Sequence, residues 1–312
     1  MSRLLGVCFP GASAEDSPPR QRYDVVRDLV LRDCTFGDRV EVAVVNGARC
    51  DLSRSAFLGS SQLLAQHNER DLTCEDARFD GDVILEAEGH TGSLLLTRSR
   101  FGAASRFNRI ERVKRLSFTD CRFAQAPTFG GSPNLPPRTE FKGATFDLRA
   151  EDESAFRGIR NFFAAQRARD WEGLFYAYEK RCHRLGLRRP REWIPRSLSF
   201  LYDKASEYGY SYGRALMWFC IVQLGFLVIY AALAGELAPG GDFDGRLVAF
   251  TFAQVVKPFE LFSSRVASEG AYAIVPGGAD GLWLFLTALQ SVLSISLIAL
   301  FLLALRWRFR RE

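Results

Sequence analysis

The 312-residue chain has few of the residues that carry enzymatic chemistry. It contains only three histidines, none of them in HExxH spacing or beside a cysteine cluster with zinc-ligand spacing. The GxGxxG and GxxxxGK[ST] loops that hold phosphates are also missing. The seven cysteines include no CxxC pair, so we expect reduced thiols and no disulfide framework. The sequence therefore predicts a protein that is not an enzyme and that has no metal site and no cofactor.

Charge is absent from two long segments near the carboxyl end. Residues 215–234 and 282–305 contain no Lys, Arg, Asp or Glu. As helices, these segments of 20 and 24 residues are about 30 and 36 Å long, which matches the hydrocarbon core of a bilayer. Trp218, Trp283 and Trp307 lie near their ends, where the membrane interface favours aromatic rings. Two membrane-spanning helices are therefore expected.

Acidic residues are scarce beside these two segments, and this scarcity predicts their orientation. Nine basic and three acidic residues lie at 180–214, and four arginines follow at 306–311. The linking residues 235–281 carry six acidic and three basic residues. Because basic flanks stay in the cytoplasm, both termini are expected there. Residues 1–14 faintly resemble a secretion signal, but their apolar stretch of six residues is too short for one.

A repeat of phenylalanines with small neighbours runs through residues 31–146. Its members are 21 to 23 residues apart, and Cys, Ser or Ala stands two positions before each. The six positions are Phe36, Phe57, Phe79, Phe101, Phe123 and Phe146. Repeats of this length indicate a solenoid, and residues two apart in a strand point the same way. We therefore predict a β-solenoid whose Phe rings stack inside it from coil to coil.

The triplets CTF, SAF, ARF, SRF, CRF and ATF resemble the inward-facing positions of the pentapeptide-repeat family. That resemblance implies a right-handed quadrilateral β-helix, here with longer coils that have loops at a corner. From residue 25 onward, the chain is similar to bacterial pentapeptide-repeat proteins that have a two-helix, ion-channel-like membrane domain. The similarity includes the ending LFLLALRWRFR. It implies a multi-pass protein of the bacterial inner membrane.

Four parts are expected along the chain. They are a flexible tail at 1–22, the solenoid at 23–148, a basic helical connector at 149–212 and the transmembrane domain at 213–312. Within the last part, residues 245–262 are apolar but are interrupted by Lys257 and Pro258. That length and charge favour a re-entrant or interfacial helix over a third crossing.

The connector is expected to be helical, with interruptions. Its apolar positions predict two helices with a break at 167–170. Pro190 and Pro195 are expected to interrupt the helical pattern beyond them.

Basic residues near the membrane have two interpretations, which are compatible with each other. They are solvated flanks that fix the orientation, or they contact anionic lipid headgroups. The candidates for headgroup contact are Arg188, Arg189, Arg191, Arg196, Arg306, Arg308, Arg310 and Arg311. No nucleic-acid recognition motif accompanies them, so no nucleic-acid partner is expected.

Charges of opposite sign are segregated along the predicted solenoid. Residues 69–88 hold eight acidic and two basic side chains, and residues 98–115 hold seven basic side chains and one acidic one. Such a surface suits docking of a protein partner or self-association, and an ordinary solvated surface is the alternative. Some pentapeptide-repeat proteins mimic DNA through a strongly acidic surface. The surface predicted here is not strongly acidic overall, so that role is not expected.

Polar side chains form one stripe on the second apolar segment. The stripe consists of Thr287, Gln290, Ser291 and Ser294, and Gln223 lies on the first segment. These residues either join helices through hydrogen bonds or line a wet pore. Two helices cannot enclose a pore, and interhelical bonds also favour association, so a homo-oligomer is expected.

These features together predict an integral inner-membrane protein in which a cytoplasmic solenoid senses or docks a partner. The oligomeric two-helix domain would conduct ions or permeabilise the membrane. The alternative function is a non-conducting, membrane-tethered scaffold for protein–protein interaction. No TVGYG-like filter follows residues 245–262, so potassium selectivity is not expected.

Overall fold

The computed structural model describes residues 2–5, 8–9, 21–25, 29–45, 49–130, 135–187, 190–233, 245–256 and 281–309. The chain forms two compact units, Met1–Gly186 and Leu187–Glu312. The first unit contains a β-solenoid and a helical hairpin, and the second is helical in its described part. This layout confirms the predicted fold class, a β-solenoid followed by helices that include two long apolar ones.

Successive coils of the solenoid contribute strands to three parallel sheets. The first sheet contains β1 (Ser2–Leu5), β4 (Leu29–Arg32), β7 (Cys50–Asp51), β10 (Leu72–Glu75), β13 (Ser93–Thr97), β16 (Arg115–Thr119) and β19 (Thr139–Glu140). The second contains β2 (Cys8–Phe9), β5 (Thr35–Phe36), β8 (Ala56–Phe57), β11 (Arg78–Phe79), β14 (Arg100–Phe101), β17 (Arg122–Phe123) and β20 (Thr145–Phe146). The third contains β3 (Gln21–Val25), β6 (Val40–Val45), β9 (Ser61–Gln66), β12 (Val83–Glu86), β15 (Ser105–Asn108) and β18 (Thr128–Gly130). Each strand pairs with the equivalent strand one coil away.

The phenylalanine ladder lies along the second sheet. Phe36 pairs in register with Phe57, and the same register continues to Phe146. Neighbouring ring centroids are 4.7 to 5.3 Å apart, and their planes lie within 13° of parallel. This distance is close to the spacing of paired strands, so the rings stack because the backbone repeats. From Phe36 to Phe123 the side chains are at most 1% exposed.

Where the small residue two positions before a ladder Phe is Ser or Cys, its side chain also bonds to a backbone carbonyl. Ser55 Oγ donates a hydrogen bond to the carbonyl of Leu31 at 3.2 Å, and Ser99 Oγ donates to that of Cys74 at 3.0 Å. Cys121 Sγ makes the equivalent bond to a carbonyl 25 residues earlier. A small hydroxyl or thiol therefore fits beside the rings and is not left unpaired in the core.

A column of left-handed backbone residues marks one corner of the solenoid, three positions before each Phe. It consists of Asp33, Arg54, Asp76, Arg98, Asp120 and Gly143, with φ between 50° and 70°. The first five alternate in charge, so Arg54 pairs with Asp33 and Arg98 pairs with Asp76, both at 2.8 Å. Stacking brings equivalent positions within about 5 Å of each other, so the alternation avoids like-charge contacts at this exposed corner.

Buried cysteines are part of the core of the first unit. Cys34, Cys50, Cys74, Cys121 and Cys182 are free thiols. Burial raises the pKa of Cys50 and of Cys121 to about 12, so both thiols stay protonated at neutral pH. These cysteines are reduced packing groups, as expected.

The amino-terminal segment departs from the expected flexible tail at 1–22. Strands β1, β2 and β3 pair in parallel with β4, β5 and β6, so the solenoid begins well before residue 23. Phe9 is in register with Phe36, although 27 residues separate them. This longer separation hid the first coil, because the other members of the ladder are 21 to 23 residues apart. Residues 10–20 lie outside the described residues.

Helices α1 (Glu153–Ala165) and α2 (Arg169–Gly186) form a hairpin that extends the solenoid core, after a 3₁₀ turn at Ala150–Asp152. The predicted break at 167–170 overlaps the separation between them at residues 166–168. Phe163 and Phe175 stack on each other and pack edge-on against Phe141 of the last coil. The carboxylate of Glu179, 3% exposed, accepts a hydrogen bond from Arg157 and forms an ion pair with Arg160, and it thereby joins the two helices.

The second unit contains four helices in its described part. They are α3 (Trp193–Ser206), which follows a 3₁₀ turn at Pro190–Glu192, α4 (Tyr212–Leu233), α5 (Gly245–Val256) and α6 (Gly281–Phe309). Helices α4, α5 and α6 contact one another, and α3 contacts α4 and α6. Residues 257–262 of the predicted re-entrant or interfacial helix lie outside the described residues.

The expectation that Pro190 and Pro195 interrupt the helical pattern is confirmed for Pro190, which lies in the 3₁₀ turn between α2 and α3, and is wrong for Pro195. Pro195 lies in the first turn of α3, where a backbone N–H has no partner within the helix and a proline is tolerated. The predicted connector is therefore divided between the two units, with the α1–α2 hairpin in the first and α3 in the second.

Candidate functional site

Helices α4 and α6 are long and apolar enough to cross a membrane. The most apolar 18-residue stretches within Tyr212–Leu233 and Phe285–Arg306 have mean hydropathies of 2.2 and 2.3, and 22% of each stretch is buried. Leu224, Phe285 and Val292 are each more than 60% exposed. A core helix of a water-soluble domain turns such a face inward, so these helices present their apolar surface to their surroundings instead.

A polar cluster joins α4, α5 and α6, and Gln290 lies at its centre. Gln290 Nε2 donates hydrogen bonds to Gln223 Oε1 at 2.7 Å and to the carbonyl of Thr251 at 3.0 Å. Its Oε1 accepts a bond from the hydroxyl of Tyr230 at 2.9 Å. Gln223 Nε2 in turn donates to Ser294 Oγ at 2.7 Å. We call these five residues the Gln290 cluster.

Ser291 makes a second connection between α6 and α5. Its Oγ lies 3.0 Å from the carbonyl of Gln254 and 2.9 Å from that of Thr287, so one hydroxyl donates to both. Gln254 Oε1 is buried and has no hydrogen-bond partner among the described residues. Two backbone carbonyls of α5 therefore accept hydrogen bonds from side chains of α6.

Helical spacing explains why these residues meet. Gln223 and Tyr230 are seven residues apart, two turns of α4, so they lie on one face. Gln290 and Ser294 are four apart on α6 and lie on the face that meets α4. A polar side chain in hydrocarbon needs a protein partner or water. Pairing these faces gives the amides and hydroxyls such partners.

All five predicted polar residues lie between helices of the same chain. Gln223, Thr287, Gln290 and Ser294 are buried, and Ser291 is half-buried. The sequence did not point to Tyr230, Thr251 or Gln254. The heptad spacing of Tyr230 from Gln223 was an available signal for the first of these. Thr251 and Gln254 contribute backbone carbonyls, for which a sequence carries no pattern.

The predicted headgroup-contacting arginines are only partly described. Arg191, Arg196 and Arg306 have exposed side chains. The side chains of Arg188, Arg189, Arg308, Arg310 and Arg311 lie outside the described residues.

Opposite charges on the solenoid pair across coils. Arg98 reaches Asp76, and Arg109 lies 2.9 Å from Glu88, so basic and acidic segments that are separate in sequence neutralise each other locally. An apolar groove of about 350 Å³ lies beside the end of the solenoid and α1, and Phe129 and Phe162 are among its lining residues. This groove is a candidate docking surface in the first unit.

One spacing of catalytic type does occur, at Gly209-Tyr210-Ser211-Tyr212-Gly213, which fits GxSxG. It lies in the turn between α3 and α4, whereas a nucleophile elbow connects a strand to a helix. Ser211 Oγ accepts a hydrogen bond from the backbone N–H of Arg214, as a residue preceding a helix does. The motif therefore marks a helix start.

In the part of the chain that the structure describes, no group of His, Cys, Asp and Glu side chains is arranged to hold a metal ion. Comparisons with protein-family models, with curated proteins and with solved structures found no match to this chain.

Proposed function

We propose that the chain is an integral membrane protein whose solenoid docks a partner and whose helical unit assembles into an ion-conducting or membrane-permeabilising pore. The observation that carries this proposal is a polar cluster buried between apolar helices that expose most of their surface. In water such a surface is an aggregation hazard, whereas in hydrocarbon it faces its preferred solvent. No catalytic step belongs to this function.

The location follows from the charges at the ends of the apolar helices. Basic residues flank them at 180–214 and 306–311, which supports cytoplasmic placement of both termini. The resemblance of the small-x-Phe triplets to pentapeptide-repeat proteins supports a bacterial inner membrane. The solenoid would then lie in the cytoplasm, where a protein partner has access to its charged coils and apolar groove.

A pore requires several copies of the chain, because α4 and α6 alone cannot surround water. In the described conformation, the polar side chains bond to one another within one chain, so we assign this conformation to the closed state. Opening would exchange these bonds for bonds to water. Each interhelical bond contributes about 0.6–2 kcal/mol, so a partner shifts the equilibrium only if it binds the open state more tightly by a comparable free energy.

The test is ion flux through the purified full-length protein in liposomes. We expect current or dye leakage that increases with the fraction of protein in the oligomeric form. The double variant Ser291→Leu, Ser294→Leu should abolish this flux. The matched control is Ser296→Leu on the same helix. Ser296 is exposed and bonds only to the carbonyl of its own helix at Val292, so flux should be retained.

The outcomes separate the pore from the alternative function. Flux in the wild type and in the control, together with loss in the double variant, supports a pore lined by the stripe of α6. No flux in any oligomeric state, from protein that is inserted and folded, leaves a non-conducting scaffold tethered to the membrane.

A further inference from the structure

Helix α3 exposes most of its large apolar side chains, whereas two of its polar side chains are buried. Ile194, Leu198 and Leu201 follow four-and-three spacing on one face, and they are 51%, 60% and 60% exposed. On the opposite face, Asp203 is 7% exposed and Ser206 is fully buried. A helix on the surface of a water-soluble protein has the reverse arrangement. The surroundings of α3 are therefore apolar on its outward side.

The position of α3 is fixed beside the start of α4. Only residues 207–211 separate the two helices, and Glu207, Tyr208 and Gly209 all have positive φ in the turn between them. The indole N–H of Trp218, on α4, donates a hydrogen bond to the carbonyl of Lys204 at 3.0 Å. Glu207 also pairs with Arg214 at 2.9 Å. The outward face of α3 therefore lies at the level where α4 begins.

The exposed charges on α3 and in the turn before it are basic, and Glu192 in that turn is half-buried. Arg191, Arg196 and Lys204 are exposed, whereas Asp203 is buried and Glu207 is paired with Arg214. Lys204 Nζ also lies 5.7 Å from the ring centroid of Phe200, one turn earlier. Long basic side chains at the edge of an apolar face reach headgroup phosphates while their stems stay in apolar surroundings.

We propose that α3 lies in the membrane interface, with Ile194, Leu198 and Leu201 among the acyl chains and Arg191, Arg196 and Lys204 on anionic lipid headgroups. Trp193, 65% exposed, adds an aromatic ring of the kind that the interface favours. The proposal rests on the proposed membrane location of α4. It adds a named lipid-binding element, and it identifies an anionic bilayer surface, rather than a second copy of the chain, as the occupant of this face.

The experiment measures the depth of single fluorescent labels in the full chain reconstituted in vesicles. Cys8→Ser and Cys220→Ser remove two thiols that would compete for the label. The side chain of Cys220 is exposed, and that of Cys8 lies outside the described ones. The other five thiols are buried and therefore shielded from the label. Labels are then placed with Leu198→Cys on α3, with Leu58→Cys at an exposed leucine of the solenoid as the matched control, and with Val228→Cys on α4. The vesicles contain phosphatidylcholine and phosphatidylglycerol, and one of the two lipids at a time carries brominated acyl chains.

We expect strong quenching at positions 198 and 228 and weak quenching at position 58. Brominated phosphatidylglycerol should quench the label at 198 about threefold more than brominated phosphatidylcholine at equal content, because three basic side chains attract it. The variant with Arg191→Gln, Arg196→Gln and Lys204→Gln should bring that ratio to about one, without a change at position 228.

Other results overturn the inference in distinguishable ways. Quenching at 228 without quenching at 198 refutes the interfacial helix and leaves the membrane-spanning helices intact. If labels at 198 quench one another while bromine has no effect, a second copy covers the face. Absence of quenching at all three positions refutes the proposed membrane function itself.

Discussion

Gln290 on α6 and Gln223 on α4 are joined amide to amide, with Nε2 and Oε1 2.7 Å apart. The two side chains are 0% and 4% exposed, so this bond is closed to the surroundings. It relates two helices whose outward surfaces are apolar along most of their length. Apolar side chains alone give a helix in lipid little preference for one rotation about its own axis. The buried amide pair therefore fixes which face of α4 meets α6.

Loss of the central amide should destabilise the helical unit. Gln290→Leu leaves the hydroxyl of Tyr230, the amide of Gln223 and the carbonyl of Thr251 without their present partner. We expect the free energy of unfolding in detergent to fall by about 1–3 kcal/mol. Ser296→Leu is the control, with a change of less than about 0.5 kcal/mol. Equal stability of the two variants would show that the amide network does not hold the helices together.

The solenoid should depend on each inner ring. Phe79→Ala leaves a cavity between the rings of Phe57 and Phe101, which stack on it at 4.8 and 5.2 Å. A buried Phe→Ala change costs about 3–5 kcal/mol, which chemical unfolding of the full chain followed by circular dichroism measures. Leu58→Ala, at a side chain 47% exposed, should cost under about 1 kcal/mol. A similar cost for both variants contradicts a core built on the ladder.

A substitution that breaks the alternation of charge along the left-handed corner column should make the stability of the solenoid depend on salt concentration. Asp76→Arg places three arginines in consecutive coils, with Arg54 and Arg98 on either side. We expect a lower melting temperature at low ionic strength, and the deficit should shrink near 1 M salt, where the Debye length is about 3 Å. Asp76→Asn tolerates positive φ and should melt close to the wild type. If the melting temperature of Asp76→Arg is lower by the same amount at every salt concentration, backbone strain and not charge repulsion is the cause.

His90 should make the solenoid sensitive to mild acid. Burial lowers the pKa of His90 below its ordinary 6.5, so the folded chain holds this imidazole neutral. The unfolded chain takes up the proton first as pH falls, so stability is full above about pH 6.5 and declines below it. His90→Leu should remove the decline between about pH 6.5 and 5, measured as midpoints of chemical unfolding at fixed salt.

The carboxylate of Asp51 affects stability in a different pH range from His90. Burial raises the pKa of Asp51, but hydrogen bonds from Ser53 and Arg32 outweigh that effect and lower it below 3.8. Its contribution is therefore retained in mild acid and lost only at lower pH. An unchanged decline in His90→Leu above pH 5 would assign the acid sensitivity to other groups.

The parts of the fold that repeat, and the long apolar segments, were predictable from sequence. Phe79 and its equivalents recur at nearly constant spacing, and hydrophobicity alone locates α4 and α6 to within a few residues. The first coil was hidden because 27 residues, not 22, separate Phe9 from Phe36. Helix α3 is hard to predict because a proline breaks a helix in its interior but is tolerated in its first turn. The sequence alone does not show that α3 begins at Trp193, just before Pro195.

The contacts of the polar stripe were beyond the sequence for a physical reason. Spacing places Gln290 and Ser294 on one face of α6, but it does not say which helix lies opposite. The partners of Gln290 are 39 to 67 residues away and include the backbone carbonyl of Thr251, which any residue could supply. Only the packing of three helices identifies this seam as one within a single chain.

Extraction of the full-length chain from membranes with alkaline carbonate, followed by flotation of the vesicles, tests most directly whether lipid surrounds α4 and α6. We expect the protein to float with the vesicles after the carbonate wash and to be released only by detergent. A chain that remains in the soluble fraction as a folded monomer, without detergent, would contradict the membrane assignment of the helical unit and every function built on it.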